Sequence, residues 1–191
     1  MHRVMLAVPL AAFLGAAVRA RAIAQADFEI TGTSIGGVRV CQPLDSVNAL
    51  YANSQDTTFF GGASGTRWPG KVITLGQGGR ILVEASYVDR SRVWRISTTS
   101  SAFATASGLH VGSSIADVLA TGERMTFRFP EGYLVAHLTR AGVSFEVDDS
   151  SAARFYRTWG GRGSPLSALD RSARIKRIFV SGGCRRGRAG S

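Results

Sequence analysis

Few side chains in this sequence have the types and spacing that chemistry requires. Gly32-Thr33-Ser34-Ile35-Gly36 spells G-x-S-x-G, the pattern in which a sharp turn presents a nucleophilic serine. That use needs a strand before the serine, a helix directly after it, and Asp then His downstream on a large parallel sheet. Here the pattern lies in an early segment with no such setting, so it reads as a loop. Gly76-Gln77-Gly78-Gly79 lacks the Lys-Ser/Thr of a phosphate loop and reads as a hairpin turn. Glu146, Asp148 and Asp149 form the densest acidic cluster. They fall at a strand end, whereas general acid–base work needs carboxylates facing each other across a pocket. His110, His137 and scattered acids do not have metal-ligand spacing, and two cysteines exclude a four-cysteine zinc site. No catalytic residue, metal or cofactor is assigned.

Residues suited to binding are better represented. Tyr87, Arg90, Arg92, Trp94 and Arg95 place aromatics and arginines in one stretch, and these types anchor protein interfaces. The other reading is a core Trp94 with solvated arginines on an edge strand. Thr57–Gly70 and Ser150–Ser167 are rich in Gly and Ser with isolated aromatics, among them Trp68, Phe155, Tyr156 and Trp159. Both are expected to be long loops, where function concentrates. The candidate binding residues are therefore Trp68, Tyr87, Trp94, Arg95, Phe155, Tyr156 and Trp159.

These residues need a scaffold, and composition bounds it. The chain has 191 residues, 45% apolar and 19% charged, with a formal charge of +10. That fits one globular domain or two small ones and excludes general disorder. His2 and Arg3 precede an apolar run, Val4–Val18, and Ala24-Gln25-Ala26 is a small-x-small cleavage site. This order is that of a secretory signal peptide over residues 1–26, with cleavage after Ala26. The run is shorter than the roughly 20 residues a membrane span needs, and no later segment is longer, so no transmembrane span is expected in the mature chain; the competing reading is an N-terminal membrane anchor, with Arg19 and Arg21 after the run atypical of a signal peptide. Cleavage takes Arg3, Arg19 and Arg21 and no acid, so +10 becomes +7. Three more arginines sit in the tail 185–191, expected to be disordered. No clustered basic face remains for nucleic acid. Cys41 and Cys184 both survive cleavage and meet an oxidising compartment, so a disulfide between them is expected.

The scaffold repeats itself. Gly37–Val47 and Gly108–Val118 share an opening glycine and apolar residues at the second, fourth, eighth and eleventh positions. Ile81–Ala85 matches Val143–Val147, and Asp89–Ile96 matches Asp170–Ile178 with one insertion. Three blocks in the same order point to duplication. Pro43 suits a first helical turn, with Leu44, Val47 and Tyr51 on one face. In the second copy Ser114 and Asp117 have capping-box spacing, and Gly122 stops the helix. Ile81, Val83, Ala85 and Val143, Phe145, Val147 alternate as buried faces of antiparallel strands, with Glu84 and Glu146 on the wet face. Lys71–Leu75, Tyr133–Leu138 and Met125–Phe129 are further strands. Arg92–Thr98 and Arg174–Val180 lack clean alternation, as strands covered on both faces or bulged would. The fold expected is α+β: two tandem repeats, 27–106 and 107–184, each a short helix followed by three or four antiparallel strands, packed as one domain.

The doubled glycine-plus-helix unit and the strand succession resemble two secreted bacterial groups. They are the tandem-repeat β-lactamase-inhibitor protein and the outer-membrane assembly lipoproteins of the SmpA/OmlA type. The resemblance covers most of residues 31–184. It is closest to uncharacterised exported bacterial proteins built on such units. No lipoprotein cysteine follows the apolar run, a departure from the assembly group, and no binding residue of either group maps onto this chain. The resemblance implies a non-catalytic exported binding protein, inhibitor-like or assembly-like, whose partner is another exported or envelope protein. The competing expectations are a small secreted enzyme using Ser34, His110 or His137, and a purely structural envelope protein.

Overall fold

Alternating apolar residues along most of the chain produce strands. The computed structural model describes residues 28–61, 65–75, 79–128, 133–148 and 170–184. The signal segment, Phe155, Tyr156, Trp159 and the tail 185–191 lie outside the described residues. In chain order the elements are β1 (Glu29–Ile30), β2 (Ser34–Ile35), β3 (Val38–Arg39), α1 (Ser46–Leu50), β4 (Gln55–Gly61), β5 (Thr66–Thr74), β6 (Arg80–Ala85) and β7 (Val93–Thr98). Then follow β8 (Ala104–Thr105), α2 (Ile115–Ala120), β9 (Met125–Arg128), β10 (Val135–Leu138), β11 (Val143–Val147) and β12 (Ile175–Ser181). Among the described residues the chain is mostly β, with two helices of five and six residues. The helical share is smaller than an α+β expectation implies.

Two sheets form. An eight-stranded sheet has the order β4-β5-β6-β7-β12-β11-β10-β9, with every pair antiparallel. A four-stranded mixed sheet has the order β3-β2-β1-β8, in which β1 and β8 run parallel. The large sheet is palindromic: each helix is followed by a four-strand meander, and the two meanders join through their last strands. Ser97 of β7 lies directly opposite Phe179 of β12. Each inner hairpin carries a register shift at the same place, Glu84/Ala85 in β6 and Glu146/Val147 in β11. The missing alternation of β7 and β12 is therefore that of bulged strands.

The segments before the helices are held in matching ways. Leu44 N–H donates to the Ser91 carbonyl and Ile115 N–H to the Ala173 carbonyl. Arg92 Nη1 donates to the Cys41 carbonyl at 2.9 Å, and Arg174 Nη1 to the Gly112 carbonyl at 2.9 Å. Asp89 caps Ser91 N–H and Oγ, as Asp170 caps those of Ser172. Gly37 and Gly108 both have φ +80.

α2 starts on a complete capping box between Ser114 and Asp117, and Gly122 at φ +67 ends it. α1 differs from expectation. It begins at Ser46 after Asp45, which makes no side-chain cap, and Pro43 bridges to Arg92 instead of opening the helix. Thr57–Gly70 is not a long loop. Most of it is the β4–β5 hairpin, in which Phe59 lies opposite Trp68 and Thr58 opposite Pro69. Pro69 is tolerated because the last β6 partner of β5 is Glu84, opposite Gly70.

Both helices and the small sheet cover one face of the large sheet. Ile35, Val38, Val47, Ile73, Ile81, Val83, Ile96, Phe145 and Ile178 make one core there. Ile115, Leu134, Val147 and Ala173 make a second cluster beneath α2. Cys41 and Cys184 form a disulfide with Cα atoms 5.3 Å apart, joining the start of the first helical unit to the chain after β12. Cys41 holds φ +70, a conformation that its counterpart Gly112 takes at φ +96.

Candidate functional site

On the sheet face opposite the helices, Glu84 gathers several candidate residues. Arg95 Nε and Nη2 donate to Glu84 Oε1 and Oε2 at 2.7 and 2.6 Å. Trp68 Nε1 donates to Oε2 at 3.2 Å. The Arg95 guanidinium lies 5.2 Å from the centre of the Trp94 ring. Glu84 is thus buried and bidentately paired, which corrects the expectation of a wet-face carboxylate. Glu146 is buried too, beside Arg177 Nη1 at 3.5 Å. The second pair is looser, and Arg177 Nε has no hydrogen-bond partner among the described residues. Alternation along β6 and β11 identifies the face but not what shares it, and arginines on the neighbouring strands cover both carboxylates. β7 is also a central strand, so Arg95 does not guard an edge.

The β6–β7 connection presents Tyr87 and Val88, with 65% and 61% of their surface exposed. It is a fixed loop. Ser86 Oγ accepts from Val88 N–H and Asp89 N–H, and Arg90 Nη2 donates to the Arg67 carbonyl at 2.5 Å. Tyr87, Val88, Trp94 and Cys184 line a cavity of about 310 Å³ on one side. On the other side Val88 to Ser91 border a larger cavity of about 850 Å³. Lys71 and Asp56 line that cavity, with an ion pair of 2.5 Å between them.

The structure therefore brings Trp68, Trp94 and Arg95 together around Glu84 and places Tyr87 and Trp94 on one cavity. Phe155, Tyr156 and Trp159 fall between Asp148 and Asp170, in the connection that corresponds to the Tyr87 loop. Because β7 and β12 are antiparallel, the two connections leave opposite ends of the sheet. Sequence reasoning missed Glu84 as the organising group and missed Lys71 altogether. Lys71 is in phase with Ile73 and so faces the core side, a signal visible in the alternation of β5.

The residues considered for catalysis are dispersed. Ser34 lies in β2 and shares a hydrogen bond with Thr31 Oγ1 at 2.6 Å. His110 Nδ1 contacts the Val111 carbonyl. His137 Nδ1 lies 3.0 Å from Ser144 Oγ, but the two are cross-strand neighbours and line none of the cavities described above or below. Among the described residues no group of His, Cys, Asp and Glu has the arrangement of a metal site.

Comparison with known proteins adds a fold relation. No protein-family model and no curated protein matches the sequence. The structure is similar to the crystal structure of the uncharacterized protein YfeY from Escherichia coli, with a TM-score of 0.52 and 13% identity. The match covers 81% of this chain and 99% of that one, and it is a likeness of fold.

Proposed function

We propose that this protein is an exported, non-catalytic binding protein. It is built as two tandem helix-plus-meander repeats, and its contact surface is the β6–β7 loop and its surroundings. The observation that carries the reading is the pairing of Tyr87 and Val88, both largely exposed on a loop that is hydrogen-bonded along its length. A large aromatic on a loop whose backbone is already ordered loses less conformational entropy on contact than one on a free segment, which is how interface anchors act. Trp94, on the same cavity as Tyr87, and Arg95, over the Trp94 ring, extend the surface. The disulfide supports export, since such bonds persist in oxidising compartments. The palindromic sheet and matched loop contacts support the duplication. The partner is another exported or envelope protein.

The test is a pull-down from envelope extract with the wild type and a Tyr87→Ala/Val88→Ala variant, alongside a panel of hydrolase substrates. A partner retained by the wild type and lost by the variant is expected. Turnover of any substrate with no captured partner would overturn the reading in favour of an enzyme.

A further inference from the structure

We infer that the cavity around Lys71 is a binding site for a small zwitterion carrying a carboxylate and an amine, such as an amino acid or a short peptide. Lys71 is the unusual residue. Its side chain is 3% exposed, on the core-facing side of β5, and it borders a space of about 850 Å³. That volume is in the range of small-molecule sites. An ammonium has three donors, and Asp56 Oδ1 is the one acceptor that Lys71 Nζ has among the described residues. Asp56 itself is 85% exposed, so this partner stands at the solvent side of the cavity. A ligand carboxylate can take up donors that the fold leaves open.

The second half of the molecule is an internal control. Lys71 lies opposite Val83 and Asp56, and Ala136 lies opposite Phe145 and Phe127. Matching β6 with β11 at their bulges therefore sets Lys71 against Ala136, Asp56 against Phe127, and Pro69 against Leu134. In the second half this place is closed by Leu134, Ile115 and Ala173, with Phe127 packed against them. In the first half the same place is open, lined by charge, and holds a buried cation. Folding does not require a lysine there, since the apolar version folds in the same chain.

The charges select the ligand. Lys71 and Arg90 face the cavity with Asp45, Asp56 and Asp89. A simple anion meets three carboxylates, and a simple cation leaves Lys71 no better satisfied. A ligand with both signs answers Lys71 at one end and Asp45 and Asp56 at the other. The β6–β7 loop borders both this cavity and the proposed contact surface, so the cavity is tested on the isolated protein, with no partner protein present.

The experiment is titration of the oxidised ¹⁵N-labelled protein with triglycine, N-acetyltriglycine and triglycine amide, followed by amide shifts. Triglycine is expected to move the amides of Gly70, Lys71, Arg90 and Ser91 with a saturable curve. The acetylated and amidated forms should bind at least tenfold more weakly. Lys71→Met, which matches the apolar second half, should keep the fold by its spectrum and lose the response. No saturable shift with triglycine, equal binding of all three probes, or an unchanged response in folded Lys71→Met would each overturn the inference.

Discussion

At the scale of single residues, two carboxylates show what side-chain partners decide. The Ser114 hydroxyl and backbone N–H beside Asp117 hold its carboxyl below the usual carboxylate range. A lowered pKa in the folded state contributes stability that is present above the unfolded pKa and lost as pH falls through the folded one. Wild type should therefore exceed Asp117→Asn in stability at neutral pH, and the gap should close as acid protonates Asp117; denaturant melts from pH 7 down to pH 2 check this. Glu84 is the harder case. Arg95 is its bidentate partner and is itself partly exposed, so Arg95→Ala should cost about 2 kcal/mol, below the 3–5 of a fully buried broken pair. Urea unfolding of the variant measures it. Equal stability of Arg95→Ala and wild type would mean that solvent already reaches Glu84. The buried state of Glu84 was not legible in the sequence because alternation assigns a face and says nothing of the neighbouring strands' arginines. Its capping counterpart, Ser114 with Asp117, was legible because the whole interaction lies within four residues.

At the scale of elements, local pattern succeeds where one segment carries its own partners. α2, the Gly122 stop and the Ile81–Ala85 and Val143–Val147 strands follow directly from spacing. The β4–β5 hairpin does not. Gly61, Gly65, Pro69 and Gly70 give Thr57–Gly70 the composition of a loop. The space around them shows why glycine sits in a strand: a Cβ on Gly70 would strike the Phe59 ring and the Val83 carbonyl. Element packing gives a graded prediction. Phe145 on β11 is fully buried and Phe60 on β4 is exposed beneath Arg67. Phe145→Ala should cost about 3–5 kcal/mol, and Phe60→Ala should stay within about 0.5. Thermal or chemical denaturation of the two variants separates them. A Phe145→Ala variant as stable as Phe60→Ala would place β11 outside the core.

At the scale of the whole molecule, the palindromic sheet arises from the way its two four-strand meanders meet, through β7 and β12 at Ser97 and Phe179. The matching sequence blocks lead to the expectation of two units, and no local pattern announces how the meanders pair. The Cys41–Cys184 bond spans 143 residues and closes this arrangement. The chain-entropy model gives such a loop about 5 kcal/mol of stabilisation, so a Cys41→Ser/Cys184→Ser variant should unfold at markedly lower denaturant while keeping the wild-type sheet signal. The proposed contact surface of this exported binding protein is the Tyr87–Val88 loop. The most direct measurement places a photo-crosslinking amino acid at Tyr87 and, as a control of similar exposure, at Leu50, in cells exporting the protein. The expected result is a discrete adduct with another exported or envelope protein from position 87 and none from position 50. No adduct from position 87, or the same adducts from both, would contradict the claim.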